Sequence, residues 1–136
     1  MIAYLDASIV VPIIKIEDAS GEIRDYLQEL RDDGHLLVSA RLAETEVRRA
    51  AVRQGISQAT VTTLLDTINV FELTPADYVT AGRFAFENLG SLDALHLAAA
   101  LRVPADVMLS HDARLVEASE ASGLPVLDSA IPARTL

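Results

Sequence analysis

A chain of 136 residues fits one domain, expected to span residues 1–136, and 51% hydrophobic content is enough for a sizeable core. Only 4% of it is aromatic, so the core must be built from Ala, Leu, Val and Ile, and broad RNA binding on stacked aromatic platforms is disfavoured. The absence of cysteine removes disulfides, thiolate zinc sites and cysteine nucleophiles and suits a reducing cytoplasm, while the lack of a long apolar run or a basic N-terminal leader argues against a membrane span and a signal peptide.

In chain order the pattern reads strand 2–5 (IAYL), helix 20–33, strand 36–39 (LLVS), helices 41–54 and 57–69, and strand 70–73 (VFEL). Helices 75–87 and 91–102, strand 106–109 (DVML), helix 113–122 and strand 125–127 (PVL) follow. Thr74-Pro75 is a start signal, a capping residue before a proline in the first helical turn. Ser91 is the expected cap of the next helix, and Gly34, Gly55, Gly90 and Gly123 each follow a helical pattern as stops. Residues 128–136 read as a loosely held tail. Short strands alternating with crossover-length helices predict an α/β fold with a mostly parallel sheet covered on both faces.

Four acids fall where strands end or the next helices begin: Asp6, Glu46, Asp93 and Asp112. In parallel α/β folds ligands bind outside the carboxyl ends of the strands. Carboxylates gathered there repel one another unless a cation neutralises them, and Mg²⁺ or Mn²⁺ prefer oxygen ligands. Such a site suits phosphodiester hydrolysis. The net charge of −9 is awkward for a nucleic-acid binder, unless an ion offsets these acids and a basic partner or an arginine patch supplies the rest.

Each acid also has a plain structural reading. Asp6 follows IAYL directly and is either a helix cap or a metal ligand, with Ser8 holding its carboxylate or the loop. Glu44 and Glu46 share a helix but point about 200° apart at roughly 100° per residue. Leu42, Ala43, Val47, Ala50 and Gln54 define the inward stripe, so Glu46 faces the site, while Glu44 forms a solvated pair with Arg48. Arg49, three residues beyond Glu46, is the alternative structural partner for it. Asp93 sits in the first turn of an otherwise apolar helix (LDALHLAAAL), where simple dipole stabilisation does not require such an enclosed setting. His96, one turn on, is either a satisfied core residue or a support for the ligands. Asp112 follows DVMLS and is a cap or a ligand, and Ser110 and His111 beside it touch substrate or form the turn. Asp106 belongs at the opposite edge of the sheet. Arg41, Arg48, Arg49 and Arg53 gather on one helix, and Arg49 and Arg53 flank Glu46 as candidate RNA-phosphate contacts or as part of a solvated face.

The frames YLDAS, SARLAETEVRRA, SLDALHLAAAL and LSHDARLVEASEASGLPVL together resemble the PIN-domain family, and within it the VapC-type toxins of bacterial toxin–antitoxin pairs. The resemblance spans nearly the whole chain, and the Asp-Ala-x-His-x-Ala and Ser-x-Asp-x-Arg-Leu elements are its most specific parts. It implies a three-layer α/β/α sandwich with a parallel five-stranded sheet of order 3-2-1-4-5. It places the family's acids at Asp6, Glu46, Asp93 and Asp112 and the small hydroxyl residue at Ser8. It further implies Mg²⁺- or Mn²⁺-dependent cleavage of loops of transfer or ribosomal RNA, leaving 5′ phosphate and 3′ hydroxyl ends and inhibiting translation. A homodimer held inactive by a VapB-type antitoxin, whose tail enters the acidic groove, is the implied assembly. One departure stands out: many relatives carry Lys and Glu in the helix after the first motif, where this chain reads VVPIIKIED, with Pro12 near the expected Lys.

Rival readings exist. A catalytically silent module could dock a basic protein through the same acids. A phosphoacceptor receiver domain fits the size, but Lys15 comes far too early for the late-strand lysine it needs. A phosphatase with paired aspartates fits poorly, because the residue two beyond Asp6 is Ser8.

Overall fold

The structure, a computed structural model, describes residues 1–16 and 22–127. Five strands form one parallel sheet: β1 (Ile2–Leu5), β2 (Leu36–Ala40), β3 (Asn69–Phe71), β4 (Val107–Leu109) and β5 (Val126–Leu127). Their spatial order is β3-β2-β1-β4-β5, the order that the resemblance implies. Among the described residues seven helices connect them: α1 (Ala7–Ile16), α2 (Glu22–Asp32), α3 (Arg41–Gln54), α4 (Gln58–Leu65), α5 (Pro75–Arg83), α6 (Ser91–Arg102) and α7 (Ala113–Ala121). The tail expected at 128–136 lies outside the described residues, as do positions 20 and 21 of the helix expected over 20–33. Among the described residues no helix is long and apolar enough to cross a membrane.

The strand alternation divides the core into two layers. Ala3, Leu5, Leu37, Val107 and Leu109 face one side, where they pack with Ile9, Val10 and Ile14 of α1, Leu27 and Leu30 of α2, Val47 of α3 and Val61 of α4. Tyr4, Val38, Ala40 and Met108 face the other, against Leu97, Ala99 and Ala100 of α6 and Leu115 and Ala118 of α7. Burial on both faces explains why the strands are nearly continuous apolar runs.

Several local expectations change. Helix α1 is absent from the chain-order pattern and is implied only by the resemblance, which puts a helix after the first motif; Pro12 and a run of β-branched residues disfavour one there. Burial of Ile9, Val10 and Ile14 against the sheet overrides that propensity. Gly90 does not stop a helix. Helix α5 ends earlier, at Arg83, where Phe84 turns extended (φ −60°, ψ 135°) and joins Phe86 in packing on the second core. Gly90 caps α6 instead, and Ser91 is the first helical residue rather than the cap. Gln54 is exposed, not inward. The Thr74 signal appears as a full capping box: the Thr74 hydroxyl accepts from the Asp77 amide and the Asp77 carboxylate accepts from the Thr74 amide. The stop after α3 is Gly55 in the left-handed region (φ 70°), which returns its amide to Ala51 and Val52.

Candidate active site

Strand parity puts Asp6, directly after β1, on the same face as Tyr4, and Ser110 on the same face as Met108. Asp6 is 2% exposed. Both of its oxygens are held: Ser8 Oγ donates to Oδ1 at 2.7 Å and Ser110 Oγ donates to Oδ2 at 3.1 Å. Ser8 Oγ also accepts from the His111 amide at 2.8 Å, and Ser110 Oγ accepts from the Asp112 amide at 3.0 Å. The loops after β1 and β4 are thereby stitched together around one carboxylate. Burial pushes the Asp6 carboxyl above its ordinary value, against the pull of the two serines. Here the structure favours the buried carboxylate over a simple cap.

Asp112 does cap. It is the N-cap of α7, and its Oδ1 accepts from the amides of Arg114 and Leu115 at 2.9 and 3.1 Å. Capping engages one oxygen and leaves Oδ2 without a hydrogen bond among the described residues. Asp93 lies in the first turn of α6, is partly buried, and makes no side-chain hydrogen bond among the described residues. Its pKa is pushed up to about 6 by burial and then by the charges of Asp112, Asp6 and Glu46. Asp93 therefore feels the other three acids although they come from separate elements of the chain.

Glu46 is 24% exposed and meets His96, not Arg49. His96 Nε2 lies 2.6 Å from Glu46 Oε1, and His96 Nδ1 lies 2.6 Å from the Tyr4 hydroxyl. Tyr4 was not foreseen as part of the site. The available signal was its place two residues before Asp6 on an alternating strand. Glu44 points away, as expected: Arg41 and Arg48 donate to it at 2.6 and 3.0 Å and hold its carboxyl below the ordinary range. It lines a separate cavity of about 370 Å³ with Arg41, Arg48 and Thr62. The arginine cluster of α3 consequently splits. Arg41 is tied to Glu44 and Glu72, and Arg48 to Glu44, Gln58 and Thr62. Arg49 and Arg53 are exposed and unpaired among the described residues. Asp106 sits at the opposite edge, accepting from the Ile2 amide at 2.7 Å.

The donor chemistry suits a hard divalent cation: carboxylate oxygens only, two of them on acids whose burial disfavours unpaired negative charge. As the side chains stand, no three His, Asp or Glu groups among the described residues are gathered tightly enough to hold an ion. Asp112 is held by its helix cap and Glu46 by His96. Another ion pair, unforeseen, lies outside the site: Arg102 donates twice to the buried Asp77 at 2.8 and 2.9 Å, with its guanidinium 5.5 Å from the Phe71 ring centre.

Comparison with known proteins places this architecture. Ribonuclease VapC35 of Mycobacterium tuberculosis is 35% identical over 131 residues, covering 91% of this chain and 94% of that protein. Ribonuclease VapC46 of the same organism is 31% identical over 127 residues, covering 91% and 95%. Among solved structures, VapBC2 from Rickettsia felis, bound to a promoter DNA fragment, superposes with a TM-score of 0.73 at 14% identity, covering 94% of this chain and 98% of that one. The family profile described as PIN domain matches residues 3–121, and the chain belongs to the PIN-domain family, in its VapC group.

Proposed function

We propose that this protein is a metal-dependent endoribonuclease toxin that cuts loops of transfer or ribosomal RNA, inhibits translation and is neutralised by a VapB-type antitoxin. The observation that carries the reading is that four carboxylates from separate elements come to one end of the sheet, where burial first and then the charges of Asp112, Asp6 and Glu46 push Asp93 up to about 6. Likeness to named ribonucleases over nine-tenths of the chain supports the substrate class.

Asp6, Asp93 and Asp112 would hold Mg²⁺ or Mn²⁺, with Glu46 directly or through water. Bound there, the ion would neutralise charge on the scissile phosphate and acidify a water for in-line attack. Ser8 and Ser110 fix Asp6 so that its remaining lone pairs keep one direction. Asp93 must shed its proton to take part, so proton and ion compete for it and Mn²⁺ uptake should weaken as pH falls through about 6. Arg49 and Arg53, unpaired on the helix that carries Glu46, are suited to flanking phosphates. A homodimer finds support in apolar side chains that one chain leaves exposed on α5 and α6: Tyr78 at 58%, Val79 at 50% and Leu92 at 49%. A basic antitoxin segment would suit the net charge of −9.

One observation favours the rival, a catalytically silent module docking a basic partner: the acids are not gathered into an ion-holding group as they stand. The same experiment separates the two. Purified protein free of antitoxin is incubated with total bacterial RNA in Mg²⁺, in Mn²⁺ and in chelator, beside Asp93→Asn, and new 5′ ends are sequenced. Metal-dependent cuts lost in the variant are expected. Cuts that persist in chelator or in Asp93→Asn would overturn the site assignment, and no cuts by folded wild type in metal would favour the silent module.

A further inference from the structure

We propose that Tyr4 and His96 are positioning residues for Glu46: a buried hydroxyl–imidazole relay holds Oε1 of Glu46 and leaves Oε2 as its one oxygen available to the acid cluster. The proposal rests on the metal-dependent reading above and assigns the parts that set its fourth carboxylate.

The direction of the relay follows from donor chemistry. A carboxylate only accepts, so the nitrogen 2.6 Å from Glu46 Oε1 must carry the hydrogen, and that nitrogen is Nε2 of His96. This holds whether the ring is neutral or charged. Nδ1 then meets Tyr4 at 2.6 Å. In a neutral ring whose hydrogen sits on Nε2, Nδ1 can only accept. In the neutral ring Tyr4 therefore donates to Nδ1, and this bond selects the tautomer that donates to Glu46.

The relay is rigid. Tyr4 and His96 are both 0% exposed. The Tyr4 ring stands edge-on to His96 at 5.7 Å and to Phe71 at 6.1 Å between centroids. It also joins the elements that matter. Tyr4 shares a face of β1 with Asp6, and His96 is one turn beyond Asp93 on α6, so a shift of β1 or α6 is passed to the Glu46 carboxylate on α3. A core histidine satisfied merely for packing could take any two acceptors or donors. Here its exposed-side partner is Glu46, a site acid whose carboxylate makes no other hydrogen bond among the described residues. Partners that orient ligating carboxylates usually contribute about 10–100-fold in metal affinity or activity.

The test compares wild type, Tyr4→Phe and Glu46→Gln by three readouts. Imidazole ¹⁵N spectra of metal-free wild type should show hydrogen on Nε2 of His96 and an acceptor Nδ1. Calorimetry should show Mn²⁺ affinity about 10–100-fold weaker in Tyr4→Phe, with the fold retained by circular dichroism. Cleavage of a defined RNA should lose a similar factor in kcat with KM little changed. A spectrum with the hydrogen on Nδ1 and an acceptor Nε2 overturns the relay without any variant, even if Tyr4→Phe fails to fold. Mn²⁺ affinity and kcat within twofold of wild type in Tyr4→Phe, while Glu46→Gln is impaired, overturn the relay alone. Wild type that takes up no Mn²⁺ overturns the metal-dependent reading and the relay with it.

Discussion

Replacing Asp93 with Asn should make the protein more stable and inactive at once. The Asp93 pKa rises from 3.8 to about 6, so the native state holds this proton more tightly than the unfolded chain does. The resulting stability is fully present below about pH 4 and is lost as pH rises through about 6. A rise of that size corresponds to about 3 kcal/mol for a fully enclosed group. Partial exposure screens the neighbouring charges and reduces this to about 1–2 kcal/mol. Asp93→Asn removes the ionisation, so at about pH 7.5 in chelator it should melt about 3–8 °C higher than wild type. At about pH 4, where the wild-type carboxyl is protonated, the gap should close. Mn²⁺ should stabilise wild type and leave the variant nearly unchanged. Thermal unfolding by circular dichroism at the two pH values, with and without Mn²⁺, reads all of this. A variant equal to or below wild type at the higher pH, or a gain of equal size at both, would refute the argument that like charge strains this position.

Two further substitutions test the frame around the site. Arg102→Ala strands Asp77, which is 2% exposed and whose carboxyl is held below its ordinary value because Arg102 and the Thr74 cap outweigh burial. Losing a partner of a buried pair costs about 3–5 kcal/mol; with the Arg102 side chain 38% exposed, about 2–3 kcal/mol is expected. The loss should shrink as pH falls through the folded pKa of Asp77, and a urea-unfolding difference under about 1 kcal/mol would show the pair to be ornamental. Ser119 carries a buried hydroxyl with no hydrogen-bond partner among the described residues. Ser119→Ala should therefore be neutral or stabilising by about 0.5–1 kcal/mol, and a clear loss in the same assay would reveal an unseen partner for that oxygen.

The strands and the longer helices were readable because both sheet faces are buried and because caps leave local marks, as at Thr74 and Gly55. What failed was local chemistry overruled from a distance. Pro12 weakened the local signal of α1, which only the resemblance implied, and the packing of Phe84 and Phe86 on the second core shortened α5. Periodicity correctly separated Glu46 from Glu44, because a helix turns the same way wherever it packs. It could not choose between Arg49 and His96 as the partner of Glu46, since His96 lies 50 residues away in sequence. At Asp112 the cap does not use up the carboxylate: one oxygen caps α7 while the other makes no hydrogen bond among the described residues. The Asp77–Arg102 pair was invisible for the same reason as the Glu46–His96 pair, being 25 residues apart with no shared motif.

The bond from Ser110 to Asp6 spans 104 positions of the chain, and β1 lies between β2 and β4 in the sheet. During synthesis, at about 5–20 residues per second, the first strand meets β2 early and waits several seconds for β4. Until then Asp6 lacks one of its two serines, and neither Asp112 nor the ladder that sets its depth is present. A growing chain thus carries no assembled acid cluster, and neither does one cut short before β4. Whatever the four acids do together waits on β4 and the loop after it, so the topology itself delays their assembly until residue 112 has been made.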